Sequence, residues 1–302
     1  MDEATLTTLA FGDPPAADDL RRPFGVRPES TPRHRLLAAI VLGAHGHYAA
    51  ATTVLDRLRR ERDPVVASLA ASTLASHRRQ LGGHTAARKL DGAALLTAGF
   101  AEGSGGSGGF GGSEPGIAGS DAADADGLDL VGARADALLG LAADNLALGR
   151  IDAARRLAVR AARVDRRWRA AVRCGWVAAE IELADGQAAA AVAPARRALE
   201  IARARGARRH AVKSAIVLGV ALSAAGEPGA LDLVVTAVEE TEKYELHSLS
   251  WVATRVAADL DAGHAEEYRF RSQQVLHPVL QQADPCVMQI ARASPWVPAE
   301  AG

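Results

Sequence analysis

The chain has 302 residues, 48% of them apolar but only 4% aromatic, with 35 basic and 36 acidic side chains and a net charge of −1. A balance so near neutrality excludes a uniformly basic nucleic-acid binder. Two cysteines, Cys174 and Cys286, exclude a disulfide framework and suit a reducing cytoplasm.

The apolar fraction is dominated by Ala and Leu, strong helix formers that let helices pack closely, and strand-like alternation of aromatic and β-branched residues is scarce. The fold class expected is therefore all-α. The start of the chain lacks a basic segment followed by an apolar stretch, and no apolar run reaches about 18 residues, so neither a signal peptide nor a membrane span is expected.

Taken in chain order, residues 1–32, rich in Pro and in mixed charges, read as an irregular arm. Residues 36–58 read as an apolar helix, a turn at Gly46 and an Ala-rich second helix. Residues 69–95 give a weaker copy turning at Gly82/Gly83. Residues 101–127, AEGSGGSGGFGGSEPGIAGSDAADADG, have too little apolar content to offset ordering entropy and read as a disordered insertion. Within it, Gly103, Gly105 and Gly108 match a dinucleotide fingerprint, and Gly105, Ser107 and Gly109 match a nucleophile elbow. Both matches lack the flanking strand and helix that would make them functional. The scheme resumes at 138–162 (turn at Gly149), 176–199 (Gly186), 216–238 (Gly226) and 251–276 (Gly263), and residues 285–302 read as a tail. Pro194 falls inside a second helix, which either starts near Ala193 or kinks.

The turn glycines are spaced by 36, 67, 37, 40 and 37 residues, and the long gap contains the insertion. Small residues recur in the second helices at Ala51, Ala87, Ala154 and Ala191, and seven positions later at Ala94, Ala161 and Ala198. With two helices per period of about 37, residues 33–284 resemble the tetratricopeptide repeat, although that family's bulky aromatics are largely replaced by Leu and Ala. The resemblance implies a right-handed α-α superhelix of about six helical hairpins, with first helices lining a concave, partner-binding surface. The near-total preference of Arg over Lys fits the codon usage of a high-GC bacterium.

Charge is unevenly placed. Residues 150–213 carry 16 bases and 6 acids, whereas residues 214–302 carry 5 and 12. Six acids and no base occupy 101–130, so that segment is a candidate for lying across the basic block. By the resemblance, Arg33, Arg79, Arg173, Trp176 and Lys213 fall near the concave surface and are the candidate partner-binding residues, suited to an acidic peptide. His34, His45 and His47 read as a surface turn without metal-ligand spacing, and Cys174 as a packing residue. Glu180 and Glu182 are two apart on a helix and point to different faces, so they do not form a catalytic pair. The function expected is a non-catalytic protein-interaction scaffold without cofactor or metal. Self-assembly, through the acidic C-terminal third docking on another copy's basic block, and an enzyme or sensor domain on the same helical array are the alternatives.

Overall fold

The computed structural model describes residues 1–15, 30–104, 124–295 and 297–298. Among them are fourteen α-helices and no strand: α1 (Glu3–Phe11), α2 (Pro32–Ala44), α3 (Tyr48–Leu58), α4 (Pro64–Gln80), α5 (His84–Ser104), α6 (Leu130–Ala147), α7 (Ile151–Val164), α8 (Trp168–Ala184), α9 (Ala188–Ala204), α10 (Arg208–Ala225), α11 (Ala230–Lys243), α12 (His247–Leu260), α13 (Ala265–Gln281) and α14 (Pro285–Ala293). No described helix is long and apolar enough to cross a membrane.

Local chemistry sets the boundaries. Thr31-Pro32, Asp63-Pro64 and Asp284-Pro285 each place a capping side chain before a proline whose missing N–H is harmless in the first turn. Most turns within the helix pairs close through left-handed glycines. Gly46, Gly82, Gly149, Gly186 and Gly226 all have φ between 68° and 83°. At all five the following N–H donates back five residues, as His47 does to the Leu42 carbonyl, Gly83 to that of Arg78 and Gln187 to that of Glu182. Gly263 departs from this pattern: α12 ends on an extended Asp261, whose carboxylate accepts from the Gly263 N–H at 3.1 Å.

Each helix from α2 to α13 packs on its successor, and the even-numbered helices α2 to α12 also touch one another in order. The recurring alanines serve this packing: Ala51, Ala87, Ala154, Ala191, Ala94, Ala161 and Ala198 are all buried. Inner helices approach even more closely at Gly43 of α2, where a Cβ would lie 2.0 Å from the His77 imidazole of α4.

The row does not run on as an open array, because α12 packs against α2 and closes a ring. Six inner helices thus surround a lumen, and the odd-numbered helices α3 to α13 form an outer layer. A shared core seals the seam, joining Tyr48 and Leu81 to Trp251, Leu276, Val279, Leu280, Val287 and Ala291. Polar links reinforce it: the Ala49 N–H donates to the Gln282 carbonyl at 2.7 Å, Thr52 donates to Asp284 at 3.2 Å, and His47 meets Gln282. His45, expected in a surface turn, is instead buried here, its carbonyl 3.2 Å from His247 Nδ1.

Both ends of the chain are more ordered than expected. Residues 1–32 were expected to be irregular, yet they hold α1, whose Leu6, Leu9 and Phe11 bury against Leu37 and Val41 of α2. The 285–302 tail holds α14, which rests on the α4–α5 turn through Ile290 and Ser294. Of the expected 101–127 insertion, residues 105–123 lie outside the described residues. Its borders are structured: α5 continues to Ser104, and Asp124 Oδ1 accepts from the Asp126 and Leu128 N–H groups. Pro194 lies well inside α9, which begins at Ala188, so a start near Ala193 is not adopted.

Closure makes a specific expectation. Leu276→Ala removes a buried seam side chain and is expected to cost ~2–5 kcal/mol by urea unfolding. Hydrogen exchange should show α2 and α3 losing protection together with α13, whereas an open array would confine the loss to the C-terminal helices.

Candidate functional site

The lumen contains a cavity of about 620 Å³. All six inner helices contribute to its wall, through Ile40, Ser72, Asp136, Trp176, Lys213 and Leu249 among others, and Phe11 of α1 reaches it from one end. Phe11 sits edge-on to Trp168 at 6.4 Å and under the Arg169 guanidinium at 5.6 Å, so α1 walls off that part of the lumen with aromatic surface.

The wall is rich in cations, in three different states. Arg79 of α4 is engaged: it pairs with Asp91 and, through Nε at 2.8 Å, with Asp144, whose other neighbour is His84 at 3.1 Å. Gly140 makes room for this cluster, since a Cβ there would lie 2.1 Å from the Asp91 carboxylate. Arg169 and Arg173, one turn apart on α8, share a single carboxylate. Asp136 of α6 accepts from Arg169 at 2.8 Å through one oxygen and from Arg173 through the other. Among the described residues Arg209 and Lys213, also one turn apart but on α10, have no ion-pair partner. Arg209 Nε is buried without a hydrogen-bond partner, and Lys213 Nζ stands 4.5 Å over the Trp176 ring.

Electrostatics follows from this placement. Burial lowers the pKa of Arg209, with Tyr48 working against the shift and neighbouring Arg173 adding to it. Burial brings Lys213 down to about 8, with Arg209, Arg173 and Arg79 pushing the same way against the pull of Glu180. Both side chains are only half-buried by surface, because they face the hollow of the ring. Trp176 is held by its indole N–H, which donates to Ser214 at 2.8 Å, and by stacking on His210 at 5.7 Å.

Of the five residues expected from the sequence, Arg79, Arg173, Trp176 and Lys213 meet in this cavity. Arg33 does not line it: it pairs with Glu3 at 2.9 Å and Asp124 at 2.6 Å, fastening α1 to the end of the insertion. The described part of the acidic segment does dock on basic residues. Asp129 binds Arg167 at 2.8 Å, and Asp126 accepts from the Trp168 indole at 3.1 Å while its carbonyl meets Arg169 at 2.5 Å. This contact is at the start of α8. Arg169 lines the cavity as well, and a second cation missing from the expectation is Arg209. Its signal was present as an Arg–Lys pair four apart, but a basic run reads as a solvated face until the inward side of the helix is known.

Glu180 faces the cavity, whereas Glu182 pairs with Arg155 of α7, so these two acids serve different surroundings. Cys174 lies away from the lumen, lining a groove with Pro194 and Arg197. Burial pushes its thiol up to about 11, outweighing Arg173, which favours an inert packing group. Comparison with family models and with curated proteins returned no match.

Three buried histidines around the lumen and seam are held neutral. Burial brings His45 down to about 4 and His77 to about 3, and lowers His210 well below 6.5. Below pH 6.5 the unfolded chain takes up protons that the folded chain refuses, so the unfolded state gains. Stability should therefore fall as pH drops from 6.5 towards 3–4. Urea midpoints across that interval check this, with His77→Gln giving a shallower slope; a flat midpoint in the wild type would count against neutral histidines.

Proposed function

We propose that this chain is a non-catalytic binding scaffold whose central lumen grips an acidic segment of a partner protein. The observation that carries the reading is the uncompensated charge of the wall. Arg209 and Lys213 face a cavity of about 620 Å³ with no ion pair among the described residues, and Arg169 and Arg173 divide one carboxylate between them. Enclosed cations with too few carboxylates to pair them are costly, and an incoming carboxylate relieves that cost.

The repeat pattern supports the same reading. In this proposal the helix pairs are tetratricopeptide-like hairpins, and the expected concave surface has been curled into the lumen of a ring. The cavity size suits a few residues of an extended chain or a chain end rather than a long helix. Trp176 and Leu249 offer apolar surface beside the cations, the combination that recognises a segment with both acidic and apolar side chains. The two free cysteines fit work in a reducing cytoplasm.

Affinity capture from the native lysate tests the proposal. Lys213→Gln removes one luminal charge without placing an acid there, and is expected to weaken capture of lumen-bound partners about tenfold or more. Partners held by the wild type should elute with increasing salt. An identical set of proteins on both columns, at equal yield and with both proteins folded, would overturn the reading.

A further inference from the structure

Two pairs of cations stand in matching positions on adjacent inner helices. On α8, Arg169 and Arg173 are four residues apart, and so are Arg209 and Lys213 on α10. Residues at this spacing lie on one face with Cβ atoms about 5–6 Å apart, and like charges there repel. The α8 pair resolves the repulsion with a carboxylate from α6, one oxygen to each arginine. No carboxylate of the described residues does the same for the α10 pair. The titratable neighbours of Arg209 are the neutral Tyr48 phenol and the cations Arg173 and Lys213, and among the described residues Glu180 attracts Lys213 without forming an ion pair. Arg209 Nε is buried without a hydrogen bond, beside the cavity that Arg209, Lys213 and Trp176 all line.

We propose that the α10 pair is a carboxylate-binding subsite, in which a ligand's carboxylate bridges Arg209 and Lys213 as Asp136 bridges Arg169 and Arg173. The inference rests on the reading of the lumen as the binding site and names the group recognised there. Trp176, with Lys213 against one face, and Leu249 receive the carbon skeleton next to the carboxylate. A carboxylate matches the internal precedent in geometry and charge, since one oxygen goes to each cation. The group can come from an acidic side chain or chain end of a partner, or from a free small acid.

Thermal unfolding of the full chain provides the test, at constant ionic strength with chloride as the balancing anion. The probes are glutarate, its uncharged diamide, inorganic phosphate and a triglutamate peptide. Wild type is expected to unfold at rising temperature as glutarate or triglutamate is added, with no shift from the diamide and a smaller one from phosphate. The larger of the two carboxylate shifts tells a small-acid source from a peptide source.

Arg209→Met gives the decisive pair of signs: a higher melting temperature without ligand, because an unpaired buried charge is gone, and loss of the glutarate shift. Arg255→Met, which alters an exposed pair with Asp259, should change neither.

The subsite is overturned if neither glutarate nor triglutamate gives a shift in the wild type, if phosphate shifts more than both, or if Arg209→Met keeps the shift. A glutarate shift lost in Arg209→Met, alongside captured partners indifferent to Lys213, would retain the subsite and discard the protein-binding scaffold. Captured partners that depend on Lys213, without any carboxylate shift, would do the reverse.

Discussion

Everything distinctive in this molecule depends on the contact between α2 and α12. Helix pairs stacked in a row bury one another's sides but leave two end faces and an open groove. Here the end faces satisfy each other. Tyr48, Leu81, Trp251, Leu276 and Val279 share one core, and the Gln282 carbonyl accepts from the Ala49 N–H at 2.7 Å. Once the faces meet, the inner helices enclose a lumen, and polar side chains that would be solvated on an open groove become interior groups.

That change of environment gives the charges their meaning. In water two like charges one helical turn apart repel weakly, but in a medium of lower effective dielectric the same pair is several-fold costlier. The ring meets the cost in different ways at neighbouring points. Arg79 receives two carboxylates, Asp91 and Asp144, whereas Arg169 and Arg173 share Asp136. Arg209 and Lys213 remain without an ion pair among the described residues, so the surplus is localised on one helix face instead of being spread around the wall. Small residues permit the close approach that makes this balance possible, as Gly140 does for the Asp91 carboxylate.

What was legible in the sequence was local. Turn glycines and buried alanines announce themselves through spacing, because a left-handed cap and a close helix crossing each demand a particular residue type. The all-α class and the turns at Gly46, Gly149, Gly186 and Gly226 followed from that. Closure left no such trace: nothing near Gly46 points to Val279, which sits 2.7 Å from where a Cβ on that glycine would lie. The short α1 and α14 were hidden for a related reason, since each is stabilised by burial against distant helices more than by its own propensity. Four of the five expected site residues reached the lumen because first-helix positions face inward in a stacked array. Arg33 went astray because α1, unseen in the sequence, supplied Glu3 as its partner.

The seam also orders events in time. A ribosome releases α2 and α3 first, and their partners in the closing core, α12 and α13, emerge some 200 residues later, a separation that makes the contact slow to form. Until then the array is a curved stack whose luminal cations still face water, where they cost little. The enclosed, charge-loaded cavity exists only after the last contact is made. The closed chamber is therefore a product of completion, and an unfinished chain does not possess it.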